Sequence, residues 1–213
     1  MTHDPAPAAL SDAARFWHAR FDRDEYVYGE DANDFLRQQA AQLPAAAEVL
    51  SLGEGEGRNA TYLARLGHTV TALEAAPAGI RKIRALAERH AVSVATLQAD
   101  LSDYRIAAGR WQGVVSIFCH LPSPLRRQVL AQVVAGLRPG GLLIMEGYTP
   151  RQLAHGTGGP RETDLLLEPA VVRDELAGLD LLHFAEVERP VLEGILHTGV
   201  AAVLQVVARK PAP

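Results

Sequence analysis

Residues 48–60 read EVLSLGEGEGRNA, and this stretch decides the fold. A short apolar run ends at Leu52, three glycines follow at alternate positions, and a helical pattern begins at Arg58. Glycine permits the sharp turn from a strand into a helix and lets a ligand approach the backbone closely. A strand, a glycine turn and a helix in this order predict the first βα unit of a parallel sheet.

The same alternation continues along the chain. Further strand patterns occupy residues 68–74, 93–100, 111–119 and 141–148, and helical patterns occupy 58–67, 76–90 and 123–140. Near the end, the strand-like runs 179–190 and 197–211 are joined by six residues, a connection short enough to require antiparallel pairing. These patterns predict an α/β fold with helices on both faces of a mainly parallel sheet that ends in an antiparallel hairpin.

The first part of the chain has a different pattern. Residues 8–20 and 31–43 carry apolar residues at helical spacing, with Asp31 or Asn33 as the cap of the second helix. We therefore predict a helical N-terminal cap over residues 1–45 and a Rossmann-like core over residues 46–213. A chain of 213 residues is long enough for one such domain and short for two.

Composition excludes several classes of protein. The net charge is −4 and the arginines are scattered, so we expect no nucleic-acid partner. The only cysteine is Cys119, and the eight histidines form no metal-binding motif, so neither a disulfide nor a metal site is expected. The sequence shows no secretory signal and no apolar run long enough for a membrane span. We expect a cytoplasmic protein, monomeric or homodimeric, that acts on a small molecule.

The negative charge of the glycine turn indicates which class of ligand it can bind. The dinucleotide motif is G-x-G-x-x-G, whereas here the spacing is G-x-G-x-G and Arg58 occupies the place of the third glycine. Glu54 and Glu56 would repel the pyrophosphate that this motif holds at the helix N-terminus. A ligand with a sulfonium and no phosphate tolerates these acids, which favours S-adenosylmethionine over NAD(P).

Two more acids follow later strands. Glu74 ends the second strand, where a carboxylate can accept hydrogen bonds from ribose hydroxyls. Asp100 follows the third strand, where its carboxylate and the backbone N–H of Leu101 suit an adenine. Each acid alone is equally explained as a solvated strand end or a local cap. The three features at successive strand ends together predict a nucleoside site.

With these motifs in place, the sequence resembles the class I S-adenosylmethionine-dependent methyltransferases. The matching pieces are residues 48–74, QADL at 98–101, GVVSIFCHLP at 113–122 and LRPGGLLIMEGYTP at 137–150. Within that class, YVYGEDANDFL and GEGEGRN are most similar to the tellurite-resistance and thiopurine methyltransferase-like group. The resemblance implies a seven-stranded sheet of order 3-2-1-4-5-7-6 with strand seven antiparallel.

The resemblance also implies a cofactor site. Its expected residues are Gly53, Glu54, Gly55, Gly57, Asn59, Glu74, Ala75, Asp100, Leu101, Phe118 and Cys119. One departure concerns the methionine moiety, because Ser51 stands where the family usually has an acid. Glu54 is a candidate to replace that charge.

Catalytic candidates follow the fourth and fifth strands. His120 and Tyr148 both lie at the predicted ligand-facing edge, and we predict that they act on the acceptor. The alternatives are a loop histidine and a tyrosine that packs beneath a lid, and Cys119 is more typical of a buried strand residue than of a reactive thiol. Residues 149–163 contain three glycines and are predicted to form that lid.

Two other functions remain open from the sequence. One is an NAD(P)-dependent oxidoreductase that uses the same sheet. The other is a non-catalytic protein that retains the fold and binds the cofactor, since fold alone does not fix function. The acceptor is predicted to be a small molecule, for example a soft nucleophile such as a thiol, tellurite or selenite.

Overall fold

A computed structural model describes residues 10–212, and these residues contain one seven-stranded sheet. The strands are β1 (Glu48–Leu52), β2 (Thr69–Glu74), β3 (Ala95–Gln98), β4 (Trp111–Ile117), β5 (Leu137–Tyr148), β6 (Asp180–Glu193) and β7 (His197–Arg209). The helices within these residues are α1 (Asp12–Phe21), α2 (Asp34–Gln39), α3 (Arg58–Arg65), α4 (Pro77–Arg89), α5 (Ser123–Gly136) and α6 (Pro169–Glu175).

The strand order is β3-β2-β1-β4-β5-β7-β6, which confirms the predicted order. Strands β1 to β5 pair in parallel, β7 is antiparallel to β5, and β6 is antiparallel to β7. β1 and β4 are neighbours. The chain continues from β1 to β2 on one side of this pair and from β4 to β5 on the other side. Their carboxyl ends therefore border the crevice in which open α/β sheets bind ligands.

Side chains of each central strand alternate between two cores, one on each face of the sheet. Val49 and Val115 belong to one core, which also holds Leu63 of α3 and Ile83 of α4. Leu50 and Val114 belong to the other, which holds Val129 of α5 and residues of α6. This alternation gives the three layers that the sequence predicts, since a strand buried on both faces is apolar throughout.

Several element boundaries differ from the prediction. The helix expected to run to residue 140 ends at Gly136, and β5 begins at Leu137, which pairs with Trp111. Leu137 has extended backbone dihedrals, with φ −70° and ψ +135°, so the helix ends at Gly136. The first helix begins at Asp12 with Ser11 as its cap, and residues 8 and 9 of the prediction lie outside the described residues.

Asn33 caps α2 as predicted, and its side chain accepts a hydrogen bond from the Leu36 N–H at 2.9 Å. Helix α2 is shorter than the pattern 31–43, because a 3-10 turn at Ala40–Gln42 follows it. In residues 10–212, none of the helices combines the length and the apolar character needed to cross a membrane.

Candidate active site

A cavity opens at the carboxyl ends of β1, β2 and β4, and α1 covers part of it. Most of the predicted site residues line this cavity. They are Gly53, Glu54, Gly55, Asn59, Glu74, Ala75, Asp100, Leu101, Phe118, Cys119 and His120.

The first two glycines of the turn are in left-handed conformations, with φ of +56° at Gly53 and +69° at Gly55. A Cβ at Gly53 would lie 2.7 Å from Cys119 Sγ. Glycine is therefore required here both for the backbone turn and for the close approach of β4. The turn leaves a concave, side-chain-free surface beside the cavity.

Glu54 lies at this turn with its carboxylate buried. One carboxylate oxygen accepts a hydrogen bond from the Ser51 hydroxyl, and the other accepts from the Ala60 N–H at 2.9 Å. Burial raises the pKa of Glu54. Ser51 thus positions a carboxylate that comes from three residues further along the chain. That Glu54 takes the place of the missing acid stays a prediction.

Glu74 lies at the end of β2 and faces the same cavity. Its carboxylate accepts hydrogen bonds from the N–H groups of Gly55 and Ala76, both at 2.8 Å. Burial raises the pKa of Glu74 to about 7, and the nearby Glu54 adds to the rise. A buried carboxylate with few charged partners is suited to a ligand that brings hydrogen-bond donors or positive charge.

Asp100 lies at the far end of the cavity, after β3. Its carboxylate accepts hydrogen bonds from the Ser102 N–H at 2.8 Å and from the Ser11 hydroxyl at 2.5 Å. Burial opposes its ionisation, but these hydrogen bonds outweigh it and lower the pKa of Asp100. Because Ser11 caps α1, this contact joins the start of the N-terminal cap to the predicted adenine end of the site.

Glu56 serves a different purpose from Glu54. Its two oxygens accept from the N–H groups of Val27 and Tyr28, each at 3.1 Å, and it forms an ion pair with Lys82 at 2.7 Å. The second acid of the glycine turn therefore holds the N-terminal cap against the core. No pattern in the sequence predicts this role.

Several aromatic side chains line the cavity. They are Trp17 and Phe21 of α1 together with Tyr28, Phe118 and His197. The His197 ring centroid lies 4.6 Å from that of Tyr28 and 4.9 Å from that of Phe118. An aromatic wall of this kind suits a sulfonium and a planar acceptor, because ring faces attract cations.

Two histidines and a thiol beside these rings are neutral. Burial lowers the pKa of His120 to about 3, and the neighbouring His197 and Arg20 add to the decrease. Burial also lowers the pKa of His197 and raises the pKa of the Cys119 thiol to about 12. At neutral pH the two imidazoles are uncharged and the thiol is protonated, so Cys119 is not a nucleophile here.

The structure places two predicted site residues away from the cavity lining. Gly57 begins α3, and a Cβ there would lie 2.7 Å from the Ile83 Cα, so this glycine serves the packing of α3 on α4. Tyr148 is almost fully buried behind Phe118, with ring centroids 4.7 Å apart. Its catalytic role is not supported by this position, because a reacting group must reach the acceptor.

The predicted lid also lies elsewhere. A Cβ at Gly159 would lie 2.7 Å from Tyr148 Cδ2, and the Thr157 hydroxyl donates to the Val200 carbonyl at 2.6 Å. The Gln152 side chain accepts from the Ala202 N–H at 2.9 Å. Residues 149–163 thus pack on β7 and Tyr148, and α1 covers the cavity instead.

Several lining residues were not predicted from the sequence. They are Trp17, Phe21, Tyr28, Arg58 and His197, and none of them lies in a motif that indicates a ligand. Gly79 of α4 could have indicated that another segment packs closely beside Glu74. A Cβ at Gly79 would lie 2.8 Å from Glu74 Cγ and 3.3 Å from the Phe21 ring. A glycine inside a helical pattern often marks such a close approach.

A buried polar network supports the site. Glu193 on the β6–β7 hairpin accepts from Arg58 at 2.6 Å and from Asn33 at 2.8 Å. Asn33 also donates to Glu146 of β5 at 2.6 Å, and Arg189 joins both carboxylates. The network connects the N-terminal cap, the glycine turn and the hairpin. Within residues 10–212 no group of three side chains is arranged to hold a metal ion.

Comparison with known proteins agrees with this geometry. Residues 49–141 match the family described as "Methyltransferase domain". The chain is similar to the 2-heptyl-1-hydroxyquinolin-4(1H)-one methyltransferase of Mycobacteroides abscessus, with 34% identity over 53% of this chain and 51% of that protein. The chain therefore spans about half the length of this relative.

Solved structures with the same fold include TehB from Haemophilus influenzae, with a TM-score of 0.68, 17% identity and coverage of 92% of this chain and 66% of that one. Another is the N-methyltransferase NodS from Bradyrhizobium japonicum, solved with S-adenosyl-L-homocysteine, with a TM-score of 0.68, 16% identity and coverage of 94% and 100%. The fold is that of the class I S-adenosylmethionine-dependent methyltransferases. The subgroup resemblance to the tellurite-resistance group stays a prediction.

Proposed function

We propose that this protein transfers a methyl group from S-adenosylmethionine to a small-molecule acceptor. The observation that carries the proposal is the order of Gly53, Glu74 and Asp100 along one cavity at three successive strand ends. The cavity provides a side-chain-free turn and a buried carboxylate, and it includes an aromatic wall for a sulfonium. The cofactor supplies an activated methyl group, and the protein aligns it with the acceptor.

Each part of the cavity has a proposed partner. The glycine turn and Glu54 hold the amino-acid part of the cofactor, Glu74 holds the ribose, and Asp100 with Leu101 holds the adenine. The NAD(P) alternative is disfavoured because the buried carboxylate of Glu54, at the glycine turn, would face the pyrophosphate. The structure of NodS was solved with S-adenosyl-L-homocysteine, which supports the same ligand class.

The neutral histidines bear on the acceptor. An imidazole whose pKa is lowered to about 3 is a weak base at neutral pH. This favours an acceptor that needs little help in losing its proton, such as a thiol, tellurite or selenite. The relative from Mycobacteroides abscessus is named for a hydroxyquinolone, so an acidic hydroxyl is a further candidate.

Calorimetric titration with S-adenosylmethionine and with NADH tests the proposal. We expect binding of the first at micromolar concentration and none of the second. The reverse result would establish the oxidoreductase instead. A screen of thiols, phenols, tellurite and selenite for release of S-adenosyl-L-homocysteine then separates an enzyme from a non-catalytic cofactor-binding protein.

A further inference from the structure

Arg20 contacts two residues of the cavity lining, Trp17 and Tyr28, and differs from two nearby cations. Arg58 pairs with Glu193, and Lys82 pairs with Glu56. Arg20 has no carboxylate partner among residues 10–212, and instead donates a hydrogen bond to the Tyr28 hydroxyl at 3.0 Å. A half-buried guanidinium with unused donors beside the lining of a cavity is suited to an anion.

Aromatic rings hold Arg20 in this place. Its guanidinium carbon lies 4.7 Å from the centroid of the Phe16 ring and 5.5 Å from that of Trp17. Trp17 itself lines the cavity. These cation–π contacts fix the side chain beside Tyr28 without neutralising its charge.

Tyr28 lines the cavity, and its hydroxyl accepts the hydrogen bond from Arg20. Its backbone is fixed by Glu56 and by Arg58, which donates to the Tyr28 carbonyl at 3.1 Å. Burial raises the pKa of Tyr28, so the hydroxyl keeps its proton at neutral pH. Because this hydroxyl accepts from Arg20, its own proton is left for another acceptor.

Two carboxylates lie beside the aromatic residues, and both are already paired. Glu56 accepts from the Tyr28 N–H at 3.1 Å and pairs with Lys82, whereas Glu193 lies 3.9 Å from His197 and pairs with Arg58. Glu54, Glu74 and Asp100 belong to the part of the cavity that we assign to the cofactor, so the Arg20 charge beside Tyr28 is not neutralised by a carboxylate of residues 10–212.

We propose that Arg20 and Tyr28 bind the acceptor as an anion, and that the acceptor is a planar molecule whose ionised sulfur or oxygen receives the methyl group. This inference rests on the proposed function. The acceptor anion forms a bond to the methyl carbon as the bond from that carbon to the sulfonium sulfur breaks, and the electron pair of the broken bond stays on sulfur. An anion and a cation become two neutral molecules, so no base is needed in the cavity.

The test uses 4-nitrothiophenol and 4-nitrophenol at a pH at which both are ionised, with 4-nitrotoluene as the uncharged analogue. Calorimetric titrations into the protein saturated with S-adenosyl-L-homocysteine give the ratio of anion to neutral affinity. We expect the wild type to prefer the anions by about tenfold or more, which is the usual effect of hydrogen bonds to a charged group. Methylation of one probe in the presence of S-adenosylmethionine distinguishes a sulfur from an oxygen acceptor.

The variants Arg20→Gln and Tyr28→Phe are expected to lose most of this preference, and Arg23→Gln is the matched control. Arg23 is exposed and its side chain makes no contact with the cavity lining among the described residues. Equal affinity of the wild type for the anions and for 4-nitrotoluene would overturn the inference, as would an unchanged preference in Arg20→Gln.

Failure of this inference is separable from failure of the proposed function. The affinity of each variant for S-adenosyl-L-homocysteine is measured first, and the probe titrations are repeated without it. No cofactor binding by the wild type would refute the proposed function, whatever the probes do. Normal cofactor binding without anion preference would refute only the role of Arg20 and Tyr28.

Discussion

At the scale of single residues, Glu74 illustrates how burial prepares a ligand site. The carboxylate accepts two backbone hydrogen bonds, yet burial outweighs them and raises its pKa to about 7. The free protein thus holds a carboxyl group that is partly protonated at neutral pH. A ligand with hydrogen-bond donors binds the ionised form more tightly than the protonated form.

Cofactor affinity should therefore depend on pH through Glu74. We expect the affinity for 5′-methylthioadenosine, a fragment without the amino-acid part, to rise between about pH 6 and pH 8 as Glu74 ionises. In Glu74→Gln the affinity at pH 8 should fall by about 1–3 kcal/mol and the rise should disappear. Calorimetry measures both, with exposed Glu88→Gln as the control. A pH-independent affinity in the wild type would remove Glu74 from the site.

At the scale of elements, the three glycines of the turn have two different roles, although they form a single pattern in the sequence. Gly53 and Gly55 border the cavity, whereas Gly57 allows α3 to approach α4. A Cβ at Gly57 would meet backbone at Ile83, which cannot move without shifting α4. The third glycine is thus required by helix packing.

Gly57→Ala should destabilise the protein by about 2–4 kcal/mol, because it adds overpacking to the strain of φ +103°. Gly67→Ala is the matched control, since Gly67 has φ +88° but no atom near its Cβ position. It should lose only about 1 kcal/mol from backbone strain. Urea denaturation compares the two, and equal losses would show that the contact with Ile83 has no energetic cost.

At the scale of the whole molecule, Glu193 lies where the cap, the core and the hairpin meet. Burial opposes ionisation of Glu193, but its contacts with His197, Arg58 and Arg189 outweigh it and lower its pKa to about 2. The folded pKa is below that of the unfolded chain. The ionised carboxylate therefore stabilises the fold above about pH 4.5, and this contribution is lost as pH falls toward 2.

Glu193→Gln should lower the free energy of unfolding at pH 7 by about 3 kcal/mol, and it leaves Arg58 facing a neutral partner. The difference from the wild type should shrink as the pH is lowered toward 2, since both chains then lack the charge. Thermal and urea unfolding over this pH range measure the effect. Glu188→Gln, on the same strand but in a surface pair with Arg151, should change stability by less than about 1 kcal/mol. A constant difference between Glu193→Gln and the wild type at all pH values would contradict this account.

The sequence by itself determined the mainly parallel sheet, its terminal antiparallel hairpin and the candidate residues of one half of the cavity. Glycines at a strand end, Glu74, Asp100 and a six-residue hairpin connection are local patterns, and local patterns constrain neighbouring elements directly. The resemblance to the methyltransferases then supplied the strand order that the structure confirms.

Only the tertiary structure decided which side chains form the other half of the cavity. Arg20, Tyr28 and His197 meet because α1, the segment after it and the β6–β7 hairpin fold over the end of β4, and no spacing in the sequence links them. In the same way Tyr148, placed correctly at a strand end, is screened from the cavity by Phe118. The physical reason is that a strand end fixes the edge on which a residue lies, whereas packing between distant segments decides which side chains face the ligand and which become core.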